Sequence, residues 1–226
     1  MNTFLDAGAA VGVVLQWLKH NASSAVGENW KIDAYGVELS KEALHNTPWP
    51  DLVTQRKLVQ GSLTEIPFES DFFDLVYTHE VLEHLRPSDV PAVLGELARV
   101  SKGRIIGTIS LRFAGADDPE NPHLHLTVRS RAAWDNSFAN AGCYPDLDFL
   151  SSISSTFPLF SEPWVFAYIC PPDLSAQEAS EVLEDLRNWK HDTNQCPDCA
   201  MFKDQHYQSI YHRGVTLVDS SLGPAS

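Results

Sequence analysis

Basic side chains are scarce in this chain. Sixteen lysines and arginines face thirty aspartates and glutamates, a formal net charge of −14 over 226 residues. Binding to a phosphate backbone draws most of its affinity from excess lysine and arginine, so this balance argues against nucleic acid as a partner. Long apolar runs are missing too, and none approaches the ~20 residues that a membrane span needs. The opening MNTFLDAGAAVGVVLQWLKH resembles a signal peptide only superficially: it has no basic leading region and carries Asp6 inside it. Cysteine is sparse. Cys143, Cys170, Cys196 and Cys199 are too few and too clustered for a disulfide framework in a chain this long. There is no internal repeat. Together these absences lead to an expectation of a soluble, cytoplasmic protein in a reducing compartment, with neither membrane nor nucleic acid as partner.

What is present is an ordinary globular core, with 43% hydrophobic residues, and an alternation of strand-like and helix-like segments. FLDAGAAVGVVLQWL, residues 4–18, reads as a buried strand, a tight small-residue loop and a helix. DAYGVEL (33–39) is a second strand that ends at Glu38, and Ser40 is placed to cap the helix that follows. RKLVQGSL (56–63), FFDLVYTHE (72–80) and GRIIGTISL (103–111) read as three further strands. Helices are expected within residues 85–102 and over 129–142, the latter closed by Gly142. YPDLDFLSS (144–152) and EPWVFAYIC (162–170) read as two strands close in sequence, hence an antiparallel pair at a sheet edge. Units of this kind build a doubly wound, mostly parallel sheet. From Pro171 the character changes to an acidic helix, a Cys/His segment and a tail, so 1–170 is expected as the main domain and 171–226 as an extension.

The first loop, DAGAAVG, sets Asp6, Gly8, Ala10 and Gly12 at alternating positions. A dinucleotide fingerprint needs G-x-G-x-x-G, and Ala10 and Val13 break that match, which disfavours a nicotinamide-dependent oxidoreductase. The loop resembles instead the acid-x-G-x-G-x-G loop of class I S-adenosylmethionine-dependent methyltransferases. Glu38 stands 26 residues after Gly12, where an acid can accept two hydrogen bonds from vicinal ribose hydroxyls. VQGSLTEIPFESDFFDLVYTHEVLEHL (59–85) is similar to the corresponding stretch of the small-molecule methyltransferases, through Gly61, Ile66, Pro67, Phe68, Phe73, Asp74, Val76, Val81, Leu82, Glu83 and His84. The resemblance covers residues 3–142.

The resemblance implies a Rossmann-like, seven-stranded α/β sheet with an antiparallel edge hairpin, and S-adenosylmethionine as cofactor. It implies cofactor contacts from Asp6, Gly8, Ala10, Gly12, Glu38, Leu39, Gly61, Ser62, Leu63, Thr78 and His79. Two departures stand out. Ser62 occupies a position where the family commonly has an acid for the adenine amino group, so apolar walls at Leu39 and Leu63 are expected to carry more of that contact. The family also carries one or two helices before the first strand, whereas little precedes Phe4 here. Either a truncated N-terminus or a lid role for the C-terminal extension follows.

HEVLEH (79–84) invites a zinc-protease reading, but HExxH needs histidine at position 83 and HxxEH needs it at position 80. His84 is expected to brace the turn before Arg86 and Pro87. The loop GADDPENPHLHLTVRS (115–130) resembles that of methyltransferases acting on sugars and other hydroxylated metabolites. His123 or His125 is expected as the base that takes a hydroxyl proton, with His79 as a third candidate. Asp117, Asp118 and Glu120 read as a solvated acidic loop. Cys196, Cys199, His206 and His212 have the residue types of a zinc site but no standard spacing, so two reduced thiols in a flap is the preferred reading. The expected activity is O-methylation of a small molecule or glycan sugar; the alternative is a catalytically silent domain with a binding or regulatory role.

Overall fold

The computed structural model describes residues 2–26, 31–112, 124–153 and 163–170. Its centre is a seven-stranded sheet in the order β3-β2-β1-β4-β5-β7-β6. The strands are β1 (Asn2–Ala7), β2 (Ile32–Glu38), β3 (Leu58–Gln60), β4 (Leu75–His79), β5 (Arg104–Ile109), β6 (Tyr144–Pro145) and β7 (Trp164–Ile169). The first five run parallel. β7 runs antiparallel between β5 and β6. From β1 the chain winds outward through β2 and β3, then returns to the other side of β1 for β4 and β5. That reversal opens a crevice beyond the carboxyl ends of β1 and β4, where ligands of open α/β sheets bind. The expected fold class is therefore the observed one.

The helices follow from local signals. α1 (Val13–Val26) begins directly after Gly12. α2 (Lys41–His45) is capped by the Ser40 hydroxyl, which accepts from the Ala43 N–H at 3.1 Å, as expected. α3 (Pro50–Thr54) starts on a proline, a residue suited to a first helical turn. α4 (Val90–Val100) buries Val90, Val93, Leu94, Leu97 and Val100, one apolar face at helical spacing. That face packs in a cluster with Val76 and Ile105 of the sheet and with Phe73, just before β4. α5 (Arg131–Asn140) buries Trp134 and Phe138, and Phe138 stacks on Tyr168 of β7 with ring centroids 3.8 Å apart. No described helix is long and apolar enough to cross a membrane.

Two expectations are corrected. YPDLDFLSS is not one strand: only Tyr144–Pro145 pairs, and Leu147–Ile153 is a helix, α6. Asp146 ends the strand by accepting from the Phe149 N–H (3.0 Å) while its other oxygen takes Arg104, the pattern of a helix N-cap. The antiparallel pair itself survives as β6 with β7. Cysteine usage is the second correction. Register pairs Tyr144 with Ile169, so Cys143 falls opposite Cys170 with Cα atoms 4.1 Å apart, and the two form a disulfide. Cys196, Cys199, His206 and His212, the acidic loop residues Asp117, Asp118 and Glu120, and His123 lie outside the described residues.

Candidate functional site

The loop between β1 and α1 turns through three left-handed residues. Gly8 and Gly12 both have φ +89°, and Ala10 has φ +46°. At Gly8 there is no room for a side chain either, because a Cβ would stand 2.4 Å from Val81 Cγ2. Ala10 occupies the family's second glycine position and adopts the conformation that glycine favours, at a cost of about 1 kcal/mol for an L-residue. Its methyl group is exposed. Ala10→Gly is expected to raise stability by up to about 1 kcal/mol, since relief of backbone strain outweighs the extra unfolded-state entropy. Cofactor affinity should stay within twofold, as measured by urea unfolding and calorimetry. A stability loss above 1 kcal/mol would contradict the strain at this position.

Glu38 closes the loop from the side. One carboxylate oxygen accepts the Ala10 N–H at 2.9 Å and the other accepts the Ser40 N–H at 2.7 Å. Each oxygen keeps a further lone pair. The side chain therefore ties the glycine loop to the end of β2 while still able to accept from a ligand. Leu39 beside it is 70% exposed, a large apolar side chain at the crevice with little protein over it.

Asp6 lies one step inside the crevice, at 4% exposure. Burial first, and the Glu38 charge second, push its carboxyl up to about 7. The native state thus holds this proton where the unfolded chain, with a carboxyl near 3.8, has lost it. Stability contributed at acidic pH is lost as pH rises from about 4 to about 7, and levels off above. Asp6→Asn removes the penalty. Its thermal midpoint should exceed that of the wild type by about 5 °C at pH 8, with no difference at pH 4. Equal midpoints at pH 8 would show that the carboxylate is solvated.

At the end of β3, Gly61 donates its N–H to the Glu38 carbonyl (3.0 Å), and a Cβ there would crowd Val37 and Pro67. Ser62 is half-buried, and its hydroxyl lies 2.7 Å from that of Thr64. Leu63 packs against the main core. An open groove of about 800 Å³ runs along Gly61 and Ser62 between Glu65 and Phe68.

The ends of β4 and β5 hold the remaining candidates. Thr78 is fully buried, and its Oγ1 has no partner among the described residues. His79 is exposed, stacks on Tyr77, and bonds from Nδ1 to the Thr108 hydroxyl at 2.6 Å. Thr108 donates onward to Glu80 at 2.8 Å, which leaves its hydroxyl as the acceptor toward His79. Glu80 has φ +52°, so the chain turns sharply out of β4 at that residue.

Glu83 is the site residue whose role sequence reading missed. It is 0% exposed, and its Oε1 accepts the Ser110 N–H at 2.9 Å just past β5. Burial pushes its carboxyl up to about 7, against the opposing pull of that Ser110 N–H. His84 donates from Nδ1 to the Leu124 carbonyl at 3.0 Å, so its side chain holds the segment after β5 and not the turn before Arg86 and Pro87. His125 donates from Nδ1 to the Arg112 carbonyl at 2.7 Å. The two rings meet edge to face, with centroids 4.9 Å apart. The V-L-E-H run was the available signal, but nothing in it announces His125.

A sheet of this order with one antiparallel inner strand, a glycine loop after β1 and an acid at the end of β2 defines the class I methyltransferase fold. Residues 5–106 match the family model described as a methyltransferase domain. That match, over 102 of the 226 residues, and the sheet order are those of a class I S-adenosylmethionine-dependent methyltransferase domain, whose cofactor is S-adenosylmethionine. Among solved structures, the chain is similar to one in the complex of the Haloferax volcanii Trm112 methyltransferase activator with a candidate methyltransferase. That match is 18% identical, covers 75% of this chain and 83% of that one, and has a TM-score of 0.53. It is also similar to a candidate sarcosine dimethylglycine methyltransferase from Galdieria sulphuraria, at 15% identity, 76% and 79% coverage, and a TM-score of 0.50. No curated protein matches the sequence at the significance applied.

Proposed function

We propose that the protein transfers the methyl group of S-adenosylmethionine to a hydroxyl of a small metabolite or glycan sugar. The observation that carries this reading is the pair of imidazoles at the acceptor side. The Nδ1 atoms of His84 and His125 both face backbone carbonyls, which only accept, so each ring carries a proton there, and the neutral form of each ring has its lone pair on Nε2. Proton acceptors at this edge suit an acceptor hydroxyl, which is a weak nucleophile near neutral pH until its proton is removed. An amine acceptor reacts from its neutral form and has less need of them.

On this reading Glu38 accepts the ribose hydroxyls while holding the Ala10 and Ser40 amides. Gly8, Ala10 and Gly12 bring backbone close to the amino-acid end of the cofactor. Asp6 and Glu38 repel each other in the free protein. The net positive charge of S-adenosylmethionine relieves that repulsion. Leu39 and Leu63 flank the adenine, and Ser62 supplies one weak acceptor in place of the family's acid. Thr78 backs the pocket from within the sheet, and His79 lines its methyl side. In the reaction the hydroxyl proton leaves for the His123/His125 loop, an oxygen lone pair attacks the methyl carbon in line, and the C–S bond breaks. Its electrons stay on sulfur, which departs as neutral S-adenosylhomocysteine. Since the leaving group is neutral, alignment and desolvation supply most of the rate.

Methyl-labelled S-adenosylmethionine should pass its label to a hydroxylated compound from a metabolite or oligosaccharide extract, with an O–CH₃ product by mass spectrometry and NMR. Label found only on nitrogen, carbon or sulfur would contradict the hydroxyl assignment.

A further inference from the structure

We propose that Glu83, His84 and His125 form a binding site for one divalent first-row transition-metal ion of the zinc type. A carboxylate oxygen of Glu83 and one ring nitrogen from each histidine lie within 4.8 Å of one another. For three atoms so spaced there is always a point within about 2.8 Å of all three, so inward shifts of at most about 0.7 Å give the 2.0–2.2 Å bonds of a zinc centre.

Three features of the cluster fit a metal and are not used by a purely structural role. Both histidines are anchored through Nδ1 to backbone carbonyls, at 3.0 Å and 2.7 Å, which leaves Nε2 as the ring nitrogen a metal could take. That is the outer-shell arrangement typical of metal-bound imidazole, which fixes the tautomer and the ring. Glu83 uses only Oε1 on Ser110, and its Oε2 is buried with no partner among the described residues. An unpaired buried carboxylate oxygen is costly, and a cation would satisfy it. Glu80 adds negative charge at Glu83, which raises the attraction for a cation further. Bracing of the chain at Ser110, Arg112 and Leu124 explains the Oε1 bond and the two Nδ1 bonds. It leaves Oε2 and both Nε2 atoms without a task.

Two neutral imidazoles and one carboxylate suit zinc, iron, cobalt or nickel better than magnesium or calcium, which prefer all-oxygen shells. Three protein ligands leave a fourth position open, as catalytic metal sites do. On the hydroxyl reading above, an ion bound here would replace the direct proton route to His125, whose Nε2 would then be a ligand: the open position would take the acceptor oxygen, lower its pKa and let its proton pass to solvent. The ion would be neither oxidised nor reduced. The metal site itself does not depend on which acceptor is methylated.

The test uses the full chain with Cys196→Ser and Cys199→Ser, so that the C-terminal thiols do not compete. After chelator treatment, Co²⁺ is titrated by calorimetry and visible absorption. The expected result is one equivalent bound at micromolar Kd or tighter, with d–d bands of a nitrogen/oxygen site. Affinity should fall at least 100-fold in His125→Ala and in Glu83→Gln. Glu83→Gln keeps an oxygen for Ser110, and S-adenosylhomocysteine affinity within threefold of the parent verifies the fold of each variant. No Co²⁺ uptake at 100 μM, or uptake unchanged in both variants, overturns the site. If the site fails while O-methyl product still forms, the metal is wrong and the hydroxyl acceptor stands. If Co²⁺ binds as expected while the label goes to nitrogen, the metal stands and the acceptor assignment fails.

Discussion

Glu38→Ala is expected to weaken S-adenosylmethionine binding by about 2–4 kcal/mol, roughly 30- to 1,000-fold, because it removes charged hydrogen bonds in a partly buried site. Two losses combine. The ribose hydroxyls lose their acceptor, and the glycine loop loses the anchor that Glu38 gives the Ala10 N–H at 2.9 Å. The fold should persist, since β2 stays paired to β1 and β3 through backbone bonds alone. Glu38→Gln separates the two losses. An amide can satisfy one of the two loop N–H groups but presents its NH₂ to the other, so an intermediate loss is expected. The measurement is calorimetric Kd beside the thermal midpoint. Affinity within a factor of two of the wild type would make Glu38 a surface acid that only ties down the loop.

Replacement of both His123 and His125 by alanine should cut turnover by ~10²–10⁴-fold and spare cofactor affinity. His125 sits against His84, near Glu83, on the segment that follows β5. That edge lies across the crevice from the Glu38 side, so loss of the imidazoles acts on the acceptor proton and not on the cofactor. The fall is expected whether His125 takes the proton itself or holds a metal that acidifies the hydroxyl. Single-turnover rates with an identified hydroxyl acceptor supply the test. Near-normal turnover in the double variant would move the role to His79, whose ring is exposed at the end of β4.

Much of this fold was legible because its strands sit in the centre of a sheet. GRIIGTISL has the continuous apolar centre of a strand covered on both faces, and α4 repeats its apolar face every three or four residues. Those patterns are local and need no tertiary knowledge. α6 was misread because PDLDFLS alternates apolar and polar residues like a strand. Asp146, three residues before Phe149, was the contrary signal of a helix start. The Cys143–Cys170 pairing was hidden for a different reason: it depends on the β6–β7 register, across 27 residues of sequence.

The site divides along the same line. Residues at strand ends, Asp6, Glu38 and His79, were placed by the resemblance and the strand boundaries together. Ala10 reads in sequence as a missing glycine, and only its backbone shows that the loop keeps the glycine conformation. Glu83 and His84 are adjacent in sequence, but their partner His125 arrives from 41 residues further on. The failed HExxH spacing said nothing about that approach, because a constellation assembled across a crossover leaves no local period.

The most direct measurement is a calorimetric titration of the full-length protein with S-adenosylmethionine and S-adenosylhomocysteine. The proposed roles, Glu38 on the ribose and the glycine loop at the amino-acid end, predict micromolar Kd for both. No heat at millimolar ligand would contradict the account and favour a catalytically silent domain on the same fold.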